Sequence, residues 1–71
     1  MNKTISAPKP GRIESIKVKE GDIINKGQEL IVIQTMKMQN TIFATDSGKI
    51  KSIKCKVGDP VKEGDVLIEL E

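Results

Sequence analysis

Short apolar runs separated by glycine and proline dominate this 71-residue chain. No stretch of ten or more residues repeats apolar side chains at the helical period. Valine and isoleucine prevail in the apolar runs, as a pleated and half-buried surface favours. The pattern predicts an all-β chain with strands near Lys3 to Ser6, Gly11 to Val18, Glu29 to Gln34, Asn40 to Ala44, Gly48 to Cys55 and Val66 to Leu70.

The second half of the chain repeats the first. Residues 11–34 align without a gap with residues 48–71, at a constant offset of 37, the difference between 48 and 11. Glycine marks backbone positions that need a positive φ or a close approach. Each half is therefore expected to form the same strand, turn and strand about a pseudo-twofold axis. All six glycines pair under the offset: Gly11 with Gly48, Gly21 with Gly58, and Gly27 with Gly64.

One irregularity occurs in both halves. Ile13 and Ile16, like Ile50 and Ile53, have opposite parity, so a regular strand would place them on opposite faces. Either a β-bulge resets the phase or both faces are covered. We interpret the repeated defect as a strand that bends from one sheet into another. The predicted fold is a flattened β-barrel or sandwich of two small antiparallel sheets.

Size and cysteine content restrict the remaining possibilities. Residues 1–71 are expected to form one domain, near the lower limit at which a core stabilises a fold without metals or disulfides. Cys55 is alone and histidine is absent, so neither an intrachain disulfide nor the usual zinc ligand sets can form. Cys55 is expected to be a small buried hydrophobe. A reducing, cytoplasmic location is the simplest inference.

The chain is also expected to have no membrane segment and no nucleic-acid surface. Its longest aliphatic run, Leu30 to Ile33, is too short to span a bilayer, and the N-terminus has no apolar signal-peptide region. The net charge of +2 arises from 12 basic and 10 acidic residues of interspersed sign. Phe43 is the single aromatic residue, which we assign to the core, so rings for stacking on bases are lacking.

Lys37 is the only charged residue between Leu30 and Thr45, and it lies between Met36 and Met38. The segment that contains it connects two predicted strands, which predicts a tight hairpin with Lys37 at its tip. The repeat offset places the counterparts of Lys37 just beyond the two chain ends. We therefore expect the tip and the termini to lie at opposite ends of the domain.

With this lysine inside a glycine repeat, the whole chain strongly resembles the biotinyl domain, the carrier module of biotin-dependent carboxylases. The attachment motif of that family, Ala-Met-Lys-Met, is similar to Met36-Lys37-Met38. The resemblance implies the barrel-sandwich fold shared by biotinyl and lipoyl domains. The other matching segments are Ala7-Pro8-Lys9-Pro10-Gly11, Val18-Lys19-Glu20-Gly21-Asp22, Lys26-Gly27-Gln28, Gly58-Asp59 and Glu63-Gly64-Asp65.

The chain departs from the family pattern at four positions. Thr35 stands where alanine or serine is usual, and Lys9 where methionine is common. Gln34 and Gln39 stand where the family often carries glutamate. Because charge near a target residue steers an encounter, the two glutamines are expected to affect recognition by a biotin ligase.

The resemblance implies that a biotin protein ligase attaches biotin to Lys37 through an amide. The tethered biotin would then carry CO2 from a biotin carboxylase to a carboxyltransferase. Met36 and Met38 would flank the amide and contact the ligase, although methionine is more commonly a core filler. The domain would have no catalytic residue and no metal site of its own, and the Gly-Asp pairs would serve only as turns.

Three alternatives remain open. A lipoyl carrier domain has the same fold and also modifies a hairpin lysine, but its flanks usually are Asp-Lys-Ala. An unmodified lipoyl-like structural module, as in membrane fusion proteins of efflux systems, would carry a long helical hairpin where this chain has Met36-Lys37-Met38. A small RNA-binding barrel is the least supported alternative, for want of aromatic residues.

Overall fold

The structure, a computed structural model, describes residues 3–71 and contains eight strands and no helix in this range. All six predicted strands are present, although β2 and β6 end at Ile16 and Ile53, two residues earlier than expected. The two-residue strands β3 and β7 were not predicted. The strands are β1 Lys3–Ser6, β2 Gly11–Ile16, β3 Ile23–Ile24, β4 Glu29–Gln34, β5 Gln39–Phe43, β6 Gly48–Ile53, β7 Pro60–Val61 and β8 Val66–Leu70.

The strands form two four-stranded sheets of matching topology. One sheet has the order β1-β8-β6-β3 and the other β5-β4-β2-β7, and every strand pair is antiparallel. The offset of the sequence repeat carries each strand of one sheet onto the corresponding strand of the other. The predicted all-β fold and its pseudo-twofold repeat are therefore confirmed.

Each sheet contains strands from both repeats. The short strand β3 of the first repeat pairs with β6 of the second, and β7 of the second pairs with β2 of the first. Matching hydrogen bonds join the repeats. The Ile13 N–H donates to the Asp59 carbonyl at 2.9 Å, and the Ile50 N–H donates to the Asp22 carbonyl at the same distance. Neither repeat therefore completes a sheet alone.

A β-bulge interrupts the same place in both repeats. The register shifts between Ile13 and Ser15 in β2, and between Ile50 and Ser52 in β6. The shift buries Ile13 completely and leaves Ile16 packed at the margin of the core. Of the two alternatives that the parity left open, the structure shows the bulge. The expected bend into the second sheet is wrong, because β2 and β6 each pair within one sheet, and among residues 3–71 the sheets are not joined into a closed barrel.

Aliphatic side chains fill the space between the sheets, and within residues 3–71 no polar or charged residue is buried with them. Cys55 is a free thiol in this core, as predicted. Burial, and then the negative charge of Asp59, raise the pKa of the Cys55 thiol. The largest completely buried side chains are Ile13, Ile24, Leu30, Ile31, Ile33, Ile50, Leu67, Ile68 and Leu70.

The assignment of Phe43 to the core is wrong. Its side chain is 52% exposed on β5, an edge strand. The neighbouring Ile42 and Ala44 are buried, and successive side chains of a strand point to opposite faces. The phenyl ring is therefore directed away from the core.

Candidate functional site

Lys37 lies at the tip of the hairpin that joins β4 to β5. Gln34 pairs with Gln39 at the end of the two strands, and the Thr35 N–H donates to the Met38 carbonyl at 2.8 Å. These contacts leave only Met36 and Lys37 beyond the closed base of the turn. No residue other than glycine has a positive φ within residues 3–71, so the turn forms without left-handed backbone strain. The predicted hairpin tip is confirmed.

The side chains around Lys37 are turned to solvent. Met36 is 100% exposed, Met38 is 56% exposed, and Lys37 is exposed between them. A role for the two methionines as core fillers is thus excluded by their position. Acylation of the Lys37 amine would displace no packed side chain, so the turn is compatible with an attached group such as biotin.

Thr35 braces the turn, a role that the sequence analysis did not assign to it. Its hydroxyl donates to the Met38 carbonyl at 2.8 Å, and the same carbonyl accepts the Thr35 N–H. The Gln34 side-chain amide donates to the Thr35 carbonyl at 3.1 Å. The known tendency of threonine hydroxyls to bond to nearby backbone in turns was the available signal.

The segment that precedes β2 supports the base of the turn. Pro10 and Lys9 line a shallow depression together with the turn residues from Thr35 to Met38. The next residue, Gly11, approaches β4 so closely that a Cβ there would lie 2.6 Å from the Gln34 carbonyl oxygen. Glycine is therefore required at position 11 by close packing against the strand that leads into the turn.

The site offers an amine but no group to deprotonate it. The depression beside the turn is lined by Lys9, Pro10, Thr35, Met36, Lys37 and Met38, without a carboxylate or a thiol. A general base must lie within hydrogen-bond reach of the proton that it removes. The turn can therefore serve as an attachment point, while activation of the amine has to come from another molecule.

The first and last described strands end far from the turn, as the repeat predicts. Strand β5 starts at the turn and runs away from it, and Asp46 follows shortly after β5 ends. Asp46 lies 3.9 Å from the Lys3 ammonium on β1, and Lys3 pairs with Leu70 of β8. The first and last described strands thus meet at the end of the domain opposite Lys37.

The described residues contain neither a cluster of metal-binding side chains nor a membrane-spanning helix. Among residues 3–71, no group of three or more cysteine, aspartate or glutamate side chains is arranged to hold a metal ion. The same residues include no helix of the length and apolarity needed to cross a membrane.

The fold and the site together define a small all-β domain that presents one lysine on a closed hairpin. Residues 1–70 match the family model described as "Biotin-requiring enzyme". Because that match spans nearly the whole chain, the chain belongs to this family of biotin/lipoyl attachment domains, and biotin is its cofactor.

Curated relatives are subunits of carboxylases and decarboxylases. The mitochondrial propionyl-CoA carboxylase alpha chain of Caenorhabditis elegans is 45% identical over 40 residues, which are 56% of this chain and 6% of that protein. The glutaconyl-CoA decarboxylase subunit gamma of Acidaminococcus fermentans is 51% identical over 37 residues, which are 52% of this chain and 26% of that subunit. This chain therefore corresponds to a small part of each relative.

Solved structures agree in fold. The urea carboxylase of Kluyveromyces lactis superposes with a TM-score of 0.91 at 30% identity, over 100% of this chain and 6% of that one. A single-chain, multi-domain long-chain acyl-CoA carboxylase superposes with a TM-score of 0.90 at 26% identity, over 96% of this chain and 7% of that one. In both comparisons this chain matches a small part of a much larger carboxylase.

Proposed function

We propose that residues 1–71 form a single biotin carboxyl carrier domain and that Lys37 carries the biotin. The observation that supports this proposal most directly is the position of Lys37. It is the one charged residue in a stretch of sixteen, and it is exposed on a closed turn between two exposed methionines. In a family whose model is described as "Biotin-requiring enzyme", this exposed lysine offers a site for acylation.

In the proposed attachment, the Lys37 amine nitrogen bonds to the carboxyl carbon of biotin activated as biotinyl-AMP. AMP leaves, and the amine loses a proton. No residue that lines the turn can accept that proton, so a biotin protein ligase supplies the base. Met36 and Met38 contact the ligase, since both side chains project from the turn beside Lys37.

The domain acts after modification by positioning and does not itself catalyse the reaction. The bound biotin supplies a group that takes up CO2 at a biotin carboxylase and releases it at a carboxyltransferase. Amide formation removes the charge of Lys37, which lowers the desolvation cost of inserting the tip into an active site. Tethering raises the local concentration of biotin at an active site to roughly millimolar when the reach of the tether matches the distance to that site. A cytoplasmic location remains a prediction.

The decisive experiment is the intact mass of the domain after incubation with biotin, ATP and a biotin ligase. We expect one biotinyl increment, mapped by peptide analysis to Lys37. In the Lys37→Arg variant, the guanidinium keeps the charge but is a poor nucleophile. The variant should therefore remain unlabelled, and it should fold like the wild type. Lys26 offers a matched control, because it is exposed on another turn. Lys26→Arg should be labelled like the wild type.

Labelling that survives Lys37→Arg would refute the assignment of the site. An unlabelled wild type, with a ligase that labels a control carrier, would redirect attention to lipoylation. Incubation with lipoate and a lipoate ligase would then decide between the lipoyl carrier and an unmodified structural module.

A further inference from the structure

The end of the domain that bears Lys37 is cationic. Two adjoining depressions surround the turn, and the charged residues that line them are Lys9, Arg12 and Lys37. None of the lining residues is an aspartate or a glutamate. In a chain with 10 acidic residues among 71, this end therefore differs from the mixed charge of the whole.

The three cations are not neutralised inside the described part of the molecule. The ion pairs found within residues 3–71 join Lys3 to Asp46 and Lys54 to Glu69. Arg12 pairs through its backbone with Pro60, and the carboxylate of the preceding Asp59 accepts the Lys56 N–H at 2.9 Å. The Asp59 carboxylate is thus hydrogen-bonded within its own turn and forms no ion pair with Arg12.

The repeat supplies an internal control for this charge pattern. The offset carries Lys9 onto Asp46, and Asp46 lies 3.9 Å from Lys3 at the opposite end of the domain. The equivalent position therefore accommodates an acid that faces a base. The backbone geometry therefore does not demand a positive charge at position 9, whereas Arg12 has a cationic equivalent in Lys49. Lys9 is thus the residue that distinguishes the charge of this end from that of the opposite end.

We propose that the cationic end docks on an acidic surface of the biotin ligase, with carboxylates facing Lys9 and Arg12. This inference rests on the proposed function of Lys37. The ligase is the partner that meets Lys37 before its charge is removed. It encounters three cations on this end, whereas every later partner encounters two. Complementary charge thus favours binding of the unmodified domain over its product.

The test is the rate of biotinylation by the cognate ligase, measured as kcat/KM at low and at high ionic strength. Lys9→Glu and Arg12→Glu each should lower kcat/KM by about tenfold at low salt and flatten its salt dependence, because exposed charges are screened. Lys26→Glu changes the net charge equally at a turn that contacts Ala44 and Ser47, away from Lys37. It should stay within about twofold of the wild type.

Binding without catalysis gives a second measure. Lys37→Arg keeps the charge and Lys37→Gln removes it, and neither can accept biotin at that position. The ligase should bind the arginine variant several-fold more tightly. Circular dichroism should show that all these exposed substitutions leave the fold unchanged.

The outcomes separate the two proposals. If the wild type is labelled at Lys37 but Lys9→Glu and Arg12→Glu react like Lys26→Glu, the acidic docking surface is refuted and the carrier function stands. Equal binding of Lys37→Arg and Lys37→Gln would also refute it. If the wild type is not labelled at all, the proposed function and the docking inference fail together.

Discussion

The two repeats of this chain have the same strands, turns and sheet positions, whereas the Lys37 turn between them lies outside this pattern. Residues 11–34 lead into that turn, and residues 48–71 repeat the strands and turns that precede it. The repeated residues are mainly turn glycines and core aliphatics. The residues that distinguish the site, such as Thr35 and Lys37, lie outside the aligned residues 11–34 and 48–71. The comparison teaches that the repeat determines the fold and that a few residues outside the repeat define the site.

The repeats also differ where their sequences agree. Gly11 and Gly48 are equivalent, yet a Cβ at Gly11 would lie 2.6 Å from the Gln34 carbonyl oxygen, while at Gly48 the nearest atom would be a Leu70 methyl at 3.7 Å. Backbone packs more tightly beside the Lys37 turn than at the opposite end. The difference is local, because the sheet registers of the two repeats agree.

The largest effect is expected from substitutions that test the difference between Gly11 and Gly48. Gly11→Ala should lower the free energy of unfolding by about 1–3 kcal/mol, because the β4 backbone has to move away. Gly48→Ala should be nearly neutral, since its methyl group would make an ordinary contact. Urea denaturation of both variants measures the contrast. Equal losses of stability would contradict the asymmetry.

A similar loss should occur in both repeats at the turn glycines. Gly27 and Gly64 have φ values of +87° and +90°, with open space where a Cβ would be. Gly27→Val should therefore cost about 1–2 kcal/mol through backbone strain alone, and Gly64→Val should cost the same. Thermal unfolding checks both. An unchanged Tm for either variant would refute the left-handed turn.

A smaller effect is expected from Thr35, which lies outside the aligned repeats. Thr35→Val keeps the shape but removes the hydroxyl that donates to the Met38 carbonyl. Stability should fall by about 0.5–1.5 kcal/mol. If Thr35 positions Lys37, the Thr35→Val variant should also be biotinylated more slowly than the wild type. The Thr35→Ser variant keeps a hydroxyl and should be biotinylated at the rate of the wild type. Equally slow biotinylation of the Thr35→Ser and Thr35→Val variants would assign Thr35 a purely steric role.

The smallest effect concerns acid stability. Hydrogen bonds from Ser52 and Lys54, together with the charge of Lys54, lower the pKa of Glu69 from its ordinary value of 4.5. A lowered native pKa contributes stability that is present above pH 4.5 and is lost as the pH falls through the native pKa.

Glu69→Gln should therefore make the stability less dependent on pH below 4.5. The equivalent residue of the first repeat is Val32, so that repeat has no such carboxylate. Urea titrations at several acidic pH values provide the measurement, with Glu29→Gln as an exposed control. An unaltered pH dependence in Glu69→Gln would show that the Glu69 carboxylate makes no such contribution to stability.

Local features were the most predictable from the sequence. Positive φ at Gly27 followed from its place in a turn, and an irregularity beyond Ile13 followed from the parity of the isoleucines, although the parity alone did not identify it as a bulge. The hairpin tip followed from two flanking β-rich runs. Such features depend on a few consecutive residues, so a single sequence contains them.

Features that depend on a distant partner were missed. Strands β3 and β7 have two residues each and exist because they pair with the other repeat. Phe43 was assigned to the core by its hydrophobicity, but its place between the buried Ile42 and Ala44 directs it outwards. Composition alone does not tell which face of an edge strand is covered.

The sequence by itself determined the repeat, the turn glycines and the isolation of Lys37, because identity and spacing along the chain specify them. The tertiary structure decided how the repeats interlock, that Thr35 braces the turn, and that Lys9 and Arg12 share a surface with Lys37. These relations arise because folding brings together segments that are far apart in the chain, and no local pattern encodes which surfaces will face each other.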